Sequence, residues 1–122
     1  MTATTDPTKR AAALPTTLYD GPVTLMNCFE VPGGRDDAFT DLWTNTSGYF
    51  RVQRGFQSLR LHQALSPNAP FRFVNIANWS SIELFQAAHA TEQFRTLVSR
   101  PEWSEFPSSP AIYKVITEHS AP

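Results

Sequence analysis

Asn75 and Trp79 stand four residues apart in the run Phe71-Arg72-Phe73-Val74-Asn75-Ile76-Ala77-Asn78-Trp79. Read as a strand, the run sends Phe71, Phe73, Asn75, Ala77 and Trp79 to one face, because strand side chains alternate. That face is aromatic, yet it carries an amide and an indole N–H. Apolar walls with a few placed hydrogen-bonding groups suit pockets for flat organic molecules. A buried amide is costly without a partner, so Asn75 calls for either a backbone bond or a ligand. Trp79 serves equally as a core aromatic beside a helix start. Asn27, at an odd position of an earlier strand, poses the same choice as Asn75. His62 adds an imidazole, the side-chain type that exchanges protons near neutral pH. A base beside hydrogen-bond donors is what proton removal and anion stabilisation require. The alternative for His62 is a histidine at a sheet edge or surface.

The elements that must position these groups follow from punctuation and period. Val23–Val31 reads as the first strand, ended by Pro32-Gly33-Gly34. Arg35-Asp36-Asp37 opens a helix expected to run to about Gln53, with early Asp residues at its positive end. Phe39, Leu42, Trp43 and Phe50 share its apolar stripe. Gly55-Phe56 turns into a second strand, about Gln57 to Leu65. There Phe56, Ser58, Arg60, His62 and Ala64 alternate with Gln57, Leu59, Leu61, Gln63 and Leu65. The first set is expected on the face of Asn75 and Trp79. Ser66-Pro67-Asn68-Ala69-Pro70 connects to the third strand, about Phe71 to Ser80. A helical region over about Ser81–Val98, with a break near Ala90-Thr91, places Phe85, Ala88, Phe94 and Leu97 inward. A proline-bearing loop leads to a last strand over Ala111–Thr117. Residues 1–20, rich in Thr, Ala and Pro, read as a disordered arm, and 21–119 as one domain.

Composition narrows the function classes. At 122 residues the chain supports one domain with a core. A formal charge of −1 gives no electrostatic ground for nucleic acid or an anionic membrane. Cys28 is the lone cysteine, so no internal disulfide forms and a cysteine-based zinc site lacks ligands. Cys28 reads as packing rather than a nucleophile. No apolar run is long enough to span a bilayer, and no apolar leader stands at the N-terminus. A cytoplasmic location is expected.

The order β-α-β-β-α-β is that of a split βαβ, ferredoxin-like α+β sandwich, with both helical regions on one face of the sheet. The other face, expected to carry Met26, Cys28, Leu59, Leu61, Val74 and Ile76, is too apolar for water. An uncovered apolar sheet face invites a second copy of the chain, so a homodimer is expected.

These residues resemble the antibiotic biosynthesis monooxygenase family. The resemblance rests on Val23–Arg35, on Gly55-Phe56, on Leu59-Arg60-Leu61-His62 and on Phe73-Val74-Asn75-Ile76-Ala77-Asn78-Trp79-Ser80-Ser81, and covers about Val23 to Thr117. It implies a dimeric α+β barrel with a pocket between each sheet and its own helices. It also implies oxygen insertion into aromatic polyketides without metal or flavin, as in anthrone oxygenases of the actinorhodin type. In those, a strand Asn and a Trp four residues on line the pocket, matched by Asn75 and Trp79. A His on the preceding strand is matched by His62. A Tyr in the following helix falls at Phe85, so its hydroxyl is missing, and an Arg falls at Arg95.

The resemblance thus makes His62, Asn75 and Trp79 the candidate catalytic groups. Asn27, Phe29, Trp43, Arg60, Phe73, Phe85 and Arg95 become candidate substrate contacts. The aromatic members serve equally as plain core, Arg60 as a residue at the sheet margin with its head in water, and Arg95 as a solvated helix residue. No cofactor or metal is expected; the expected partners are an aromatic small molecule, molecular oxygen and a second copy. A non-catalytic binding or interaction domain is the alternative. A second branch of the family degrades haem, using an Asn matched by Asn27. Its Trp and axial His, however, fall near Ala88 and Val98, so haem cleavage is not expected. His89 and His119 read as surface groups.

Overall fold

The computed structural model describes residues 19–122. Apart from Tyr19 and Asp20, the expected N-terminal arm lies outside the described residues. Four strands, β1 (Val23–Phe29), β2 (Phe56–Gln63), β3 (Phe73–Trp79) and β4 (Ser108–Tyr113), form one antiparallel sheet in the order β2-β3-β1-β4. Helices α1 (Asp36–Ser47), α2 (Ile82–Ala88) and α3 (Glu92–Val98), with 3-10 turns at Gly48–Val52 and Pro101–Glu105, complete the domain. This is the ferredoxin-like α+β fold expected from the sequence. No described helix is long and apolar enough to cross a membrane.

Alternation governs the central strands. Val23, Leu25, Asn27 and Phe29 of β1 and Phe73, Asn75, Ala77 and Trp79 of β3 are all buried, while the residues between them are more open. On α1, Phe39, Leu42, Trp43 and Thr46 are buried, the i, i+3, i+4, i+7 stripe of an amphipathic helix. The α-helix stops at Ser47 rather than near Gln53; Gly48 is a poor helix residue, and the chain tightens into a 3-10 turn. The second helical region is two helices. Ser81 caps α2 by accepting the Leu84 N–H at 3.2 Å, and Thr91 caps α3 by accepting the Phe94 N–H at 3.0 Å. Thr91 thereby starts a new helix where the sequence indicated a break.

Gly55 makes the turn into β2. Its φ of +86° is left-handed, and a Cβ there would lie 2.5 Å from the Cβ of Leu84. Both constraints leave glycine as the residue that fits.

The β2 strand corrects the sequence reading. Phe56 pairs with Trp79, but the next partners are Ser58 and Asn78. Gln57 is therefore an extra residue, a β-bulge, and every side chain after it changes face. Leu59 and Leu61 face inward, opposite Ala77 and Asn75, whereas Arg60 and His62 lie opposite Ile76 and Val74 on the outer face. Both are exposed. The outer face is thus less apolar than expected: Met26, Cys28, Val74, Ile76 and Ala111 form its centre, bordered by Ser58, Arg60 and His62. The last strand also differs, beginning at Ser108 and ending at Tyr113, which pairs with Thr24. β1 has only one residue left to pair beyond that point, so the expected continuation to Thr117 has no strand to lie against.

The core is two aromatic clusters on the inner face. One gathers Val23, Leu25, Tyr49, Phe50, Ala77, Trp79, Phe85, Ala88 and Phe94. The other gathers Phe29, Phe39, Leu42, Trp43, Phe73 and Phe106. Between them, directly opposite each other on β1 and β3, stand Asn27 and Asn75.

Candidate active site

A cavity opens where the two clusters separate. Its wall includes Leu25, Asn27 and Phe29 of β1, Asn75 of β3, Trp43 and Thr46 of α1, Phe50, Phe85, His89, Phe94, Val98, Trp103 and Pro110. Its volume is about 50 Å³, space for a few waters. A fused ring system enters only if part of this wall moves.

The amide pair is the polar centre of the wall. Asn27 and Asn75 are only 6% and 2% exposed, and among the described residues neither amide Oδ1 has a hydrogen-bond partner. A buried amide oxygen without a partner costs roughly 1–3 kcal/mol. Two such groups on neighbouring strands of a well-packed sheet concentrate that cost at one place. The indole Nε1 of Trp103, on the same wall, is also buried and unpartnered.

Five of the ten candidate residues thus meet at one cavity: Asn27, Phe29, Trp43, Asn75 and Phe85. Trp79 stands one layer behind, its ring 5.8 Å from Phe85 and 5.6 Å from His89, and its Nε1 is likewise buried without a partner. Phe73 stacks on Phe39 at 4.6 Å within the second cluster and is away from the cavity wall. Arg95 is exposed, and its guanidinium donates to the Ala90 carbonyl at 2.7 Å, closing the break between α2 and α3. His62 and Arg60, carried to the outer face by the bulge at Gln57, do not join the cavity. The shared face that made His62 the candidate base is therefore absent.

His89, expected at the surface, is instead 6% exposed and part of the cavity wall. It lies four residues after Phe85 and so shares that helical face, a spacing that would have placed it inward. Its Nδ1 lies 2.7 Å from the Phe85 carbonyl oxygen. Desolvation by burial, only partly offset by that backbone bond, pushes its pKa down to about 4. The ring is therefore neutral at neutral pH. Trp103 had no such signal, because it sits in a 3-10 turn within a proline-bearing loop. That turn is tied to the start of α1 by the paired Arg35 guanidinium and Glu105 carboxylate.

An antiparallel sheet with helices on one face and an amide-centred aromatic cavity between them defines a ferredoxin-like α+β domain with a buried cavity. The chain belongs to the antibiotic biosynthesis monooxygenase family, whose profile matches residues 22–100. Among solved structures it is similar to a candidate monooxygenase from Shewanella loihica PV-4, at 29% identity and TM-score 0.71, over 82% of this chain and 99% of that one. It is also similar to SnoaB, a cofactor-independent oxygenase from Streptomyces nogalater, at 23% identity and TM-score 0.69, over 80% and 96%. A mutant of MhuD holding two manganese protoporphyrin IX molecules per active site shares the fold at 18% identity and TM-score 0.66, over 81% and 99%. Comparison with curated protein sequences returns no match.

Proposed function

We propose that this protein is a cofactor-independent monooxygenase that oxidises a polycyclic aromatic or quinol-like substrate with molecular oxygen. The observation that carries the reading is the buried Asn27–Asn75 pair with unpartnered amide oxygens on an aromatic cavity wall. Family membership supports it, as does the likeness to a cofactor-independent oxygenase. Triplet oxygen reacts slowly with closed-shell organics, so the substrate first gives up a proton to water and becomes an electron-rich anion. That anion passes one electron to oxygen, and the resulting radical pair joins through a new C–O bond. The peroxide formed takes up a proton and loses water, leaving a carbonyl; one oxygen atom goes to product and one to water. The amide N–H groups of Asn27 and Asn75 donate to the substrate oxygens as charge shifts between them, their Oδ1 atoms accept from substrate hydroxyls, and the aromatic wall keeps water out.

Oxygen uptake by metal-free protein, measured with a panel of anthrones and hydroquinones, tests this. Consumption above the uncatalysed background by at least one member is expected; background rates with every member would end the reading. A binding domain without turnover is the second reading, favoured by the absence of the candidate base His62 from the cavity wall. Saturable binding of the same compounds with no oxygen uptake would select it.

We infer in addition that the outer sheet face joins a second copy of the chain. The support is the apolar centre formed by Met26, Cys28, Val74, Ile76 and Ala111, which a monomer would leave to water. Light scattering at micromolar concentration is expected to give twice the chain mass; the mass of a single chain would contradict it.

A further inference from the structure

His89 supplies the cavity with a hydrogen-bond acceptor whose identity is fixed by covalent chemistry. A carbonyl oxygen carries no hydrogen, so the 2.7 Å contact with Phe85 O requires the proton on Nδ1. In a neutral imidazole the other nitrogen, Nε2, is then a bare lone pair. No described residue donates to it. The ring cannot easily turn over to exchange the two nitrogens. It is packed among Phe85, Phe94 and Phe50 at centroid distances of 4.1, 4.8 and 5.0 Å, with Trp79 at 5.6 Å. Turning it would also break the Nδ1 bond.

The wall therefore holds three acceptors that a ligand can satisfy. Among the described residues the Oδ1 atoms of Asn27 and Asn75 are buried acceptors without partners, and His89 makes its one side-chain hydrogen bond through Nδ1, which leaves Nε2 as a third acceptor; the donors are the unpartnered indole of Trp103 and the Asn N–H groups. A molecule that satisfies this wall brings hydrogens on oxygen. A quinone or an aryl ether brings only acceptors and leaves His89 Nε2 unpaired.

We propose that His89 is a specificity-determining residue whose Nε2 accepts a hydrogen bond from an aromatic hydroxyl of the substrate, so that the cavity takes the neutral hydroxyarene in preference to its ether or quinone. This rests on the reading of the cavity as the substrate site. It adds a direction to that reaction: the reduced, hydroxylated compound fits the wall, and the carbonyl product formed from it fits less well and leaves. Any second hydroxyl of a quinol falls to the Asn27–Asn75 pair.

The test compares 1-naphthol with 1-methoxynaphthalene, which differ in the one hydrogen at issue. Dissociation constants are measured by titration calorimetry on the wild-type protein and on His89→Phe, which keeps an aromatic ring among its aromatic neighbours. The wild-type protein is expected to prefer the naphthol by about tenfold, the scale of one buried hydrogen bond. In His89→Phe the ratio falls towards one. The same ratio in both proteins, or no naphthol binding to the wild type, would overturn the proposal. Should His89→Phe not fold, ¹⁵N-histidine NMR of the wild-type protein gives the same answer. The Nε2 resonance of His89 moves on adding naphthol and stays put with the ether; an Nε2 resonance unmoved by naphthol refutes the bond. Because binding is read without turnover, failure of the oxygenase reading leaves the naphthol preference intact, whereas failure of the His89 proposal leaves oxygen uptake intact.

Discussion

Asn75→Leu is expected to lower kcat/KM by about 100-fold while leaving the folded protein as stable as before, or more stable by roughly 1–3 kcal/mol. The two effects come from one fact. Asn75 is 2% exposed, and its Oδ1 has no partner among the described residues, so removing that oxygen strands none of them. Leucine sits comfortably on an inner face whose neighbours are Phe73 and Ala77 along the strand and Leu61 across it. A residue kept for folding alone would show the opposite, loss of stability with activity falling only in proportion to folded protein. Steady-state oxygen uptake together with urea unfolding separates the outcomes. A variant that is destabilised by several kcal/mol would show that the amide is structural and would remove the central support for the site. Asn27→Leu, across the ladder from it, should behave in the same way. The double variant should cost little more activity than either single one, because the two amides act on the same bound molecule.

The bulge at Gln57 shows why the fold was more legible than the site. Strand order and the helices came from periods that run over seven to twelve residues, where one misplaced residue hardly matters. The face of His62 depended on parity alone, and parity is lost at a single inserted residue. Phe56 and Trp79 pair as alternation requires, yet six residues later the same count puts His62 on the wrong side of the sheet. Nothing in Gly55-Phe56-Gln57-Ser58 marks the extra residue. The inward pair Leu59 and Leu61 was the better guide, since two leucines on an outer face would have been the more costly arrangement. Asn27 and Asn75 were legible because β1 and β3 are central strands without bulges, paired residue for residue. The spacing of His89 to Phe85 would have placed it inward, but a histidine next to a helix break reads as a surface group until the rings of Phe50 and Phe94 are seen to enclose it. Trp103 has no repeating neighbour to betray its direction.

Enclosure of His89 has a thermodynamic consequence that urea unfolding at several pH values will reveal. The ordinary value for an imidazole is 6.5, and in the folded chain desolvation lowers that of His89 to about 4. Between those limits the unfolded chain binds a proton that the native chain refuses, so stability rises with pH across the window. The full contribution is present above pH 6.5, shrinks as pH falls, and is gone below about 4. Its total is on the order of 3 kcal/mol, of which about 2 kcal/mol is lost between pH 7 and pH 5. The carboxylates titrate lower. Asp36 is held below its ordinary range chiefly by hydrogen bonds from Arg72, and Glu105 by hydrogen bonds from Arg35. Their contributions are present above the ordinary carboxylate range and are lost only as pH falls below it. The drop between pH 7 and pH 5 therefore reports chiefly on His89. In His89→Phe the slope over that interval should flatten while the fall below pH 4 remains. An unchanged slope in the variant would mean that His89 is charged or hydrated in the native state. A hydrated ring would already have its Nε2 satisfied by water, and the acceptor that selects hydroxyarenes would then have a competitor at every pH.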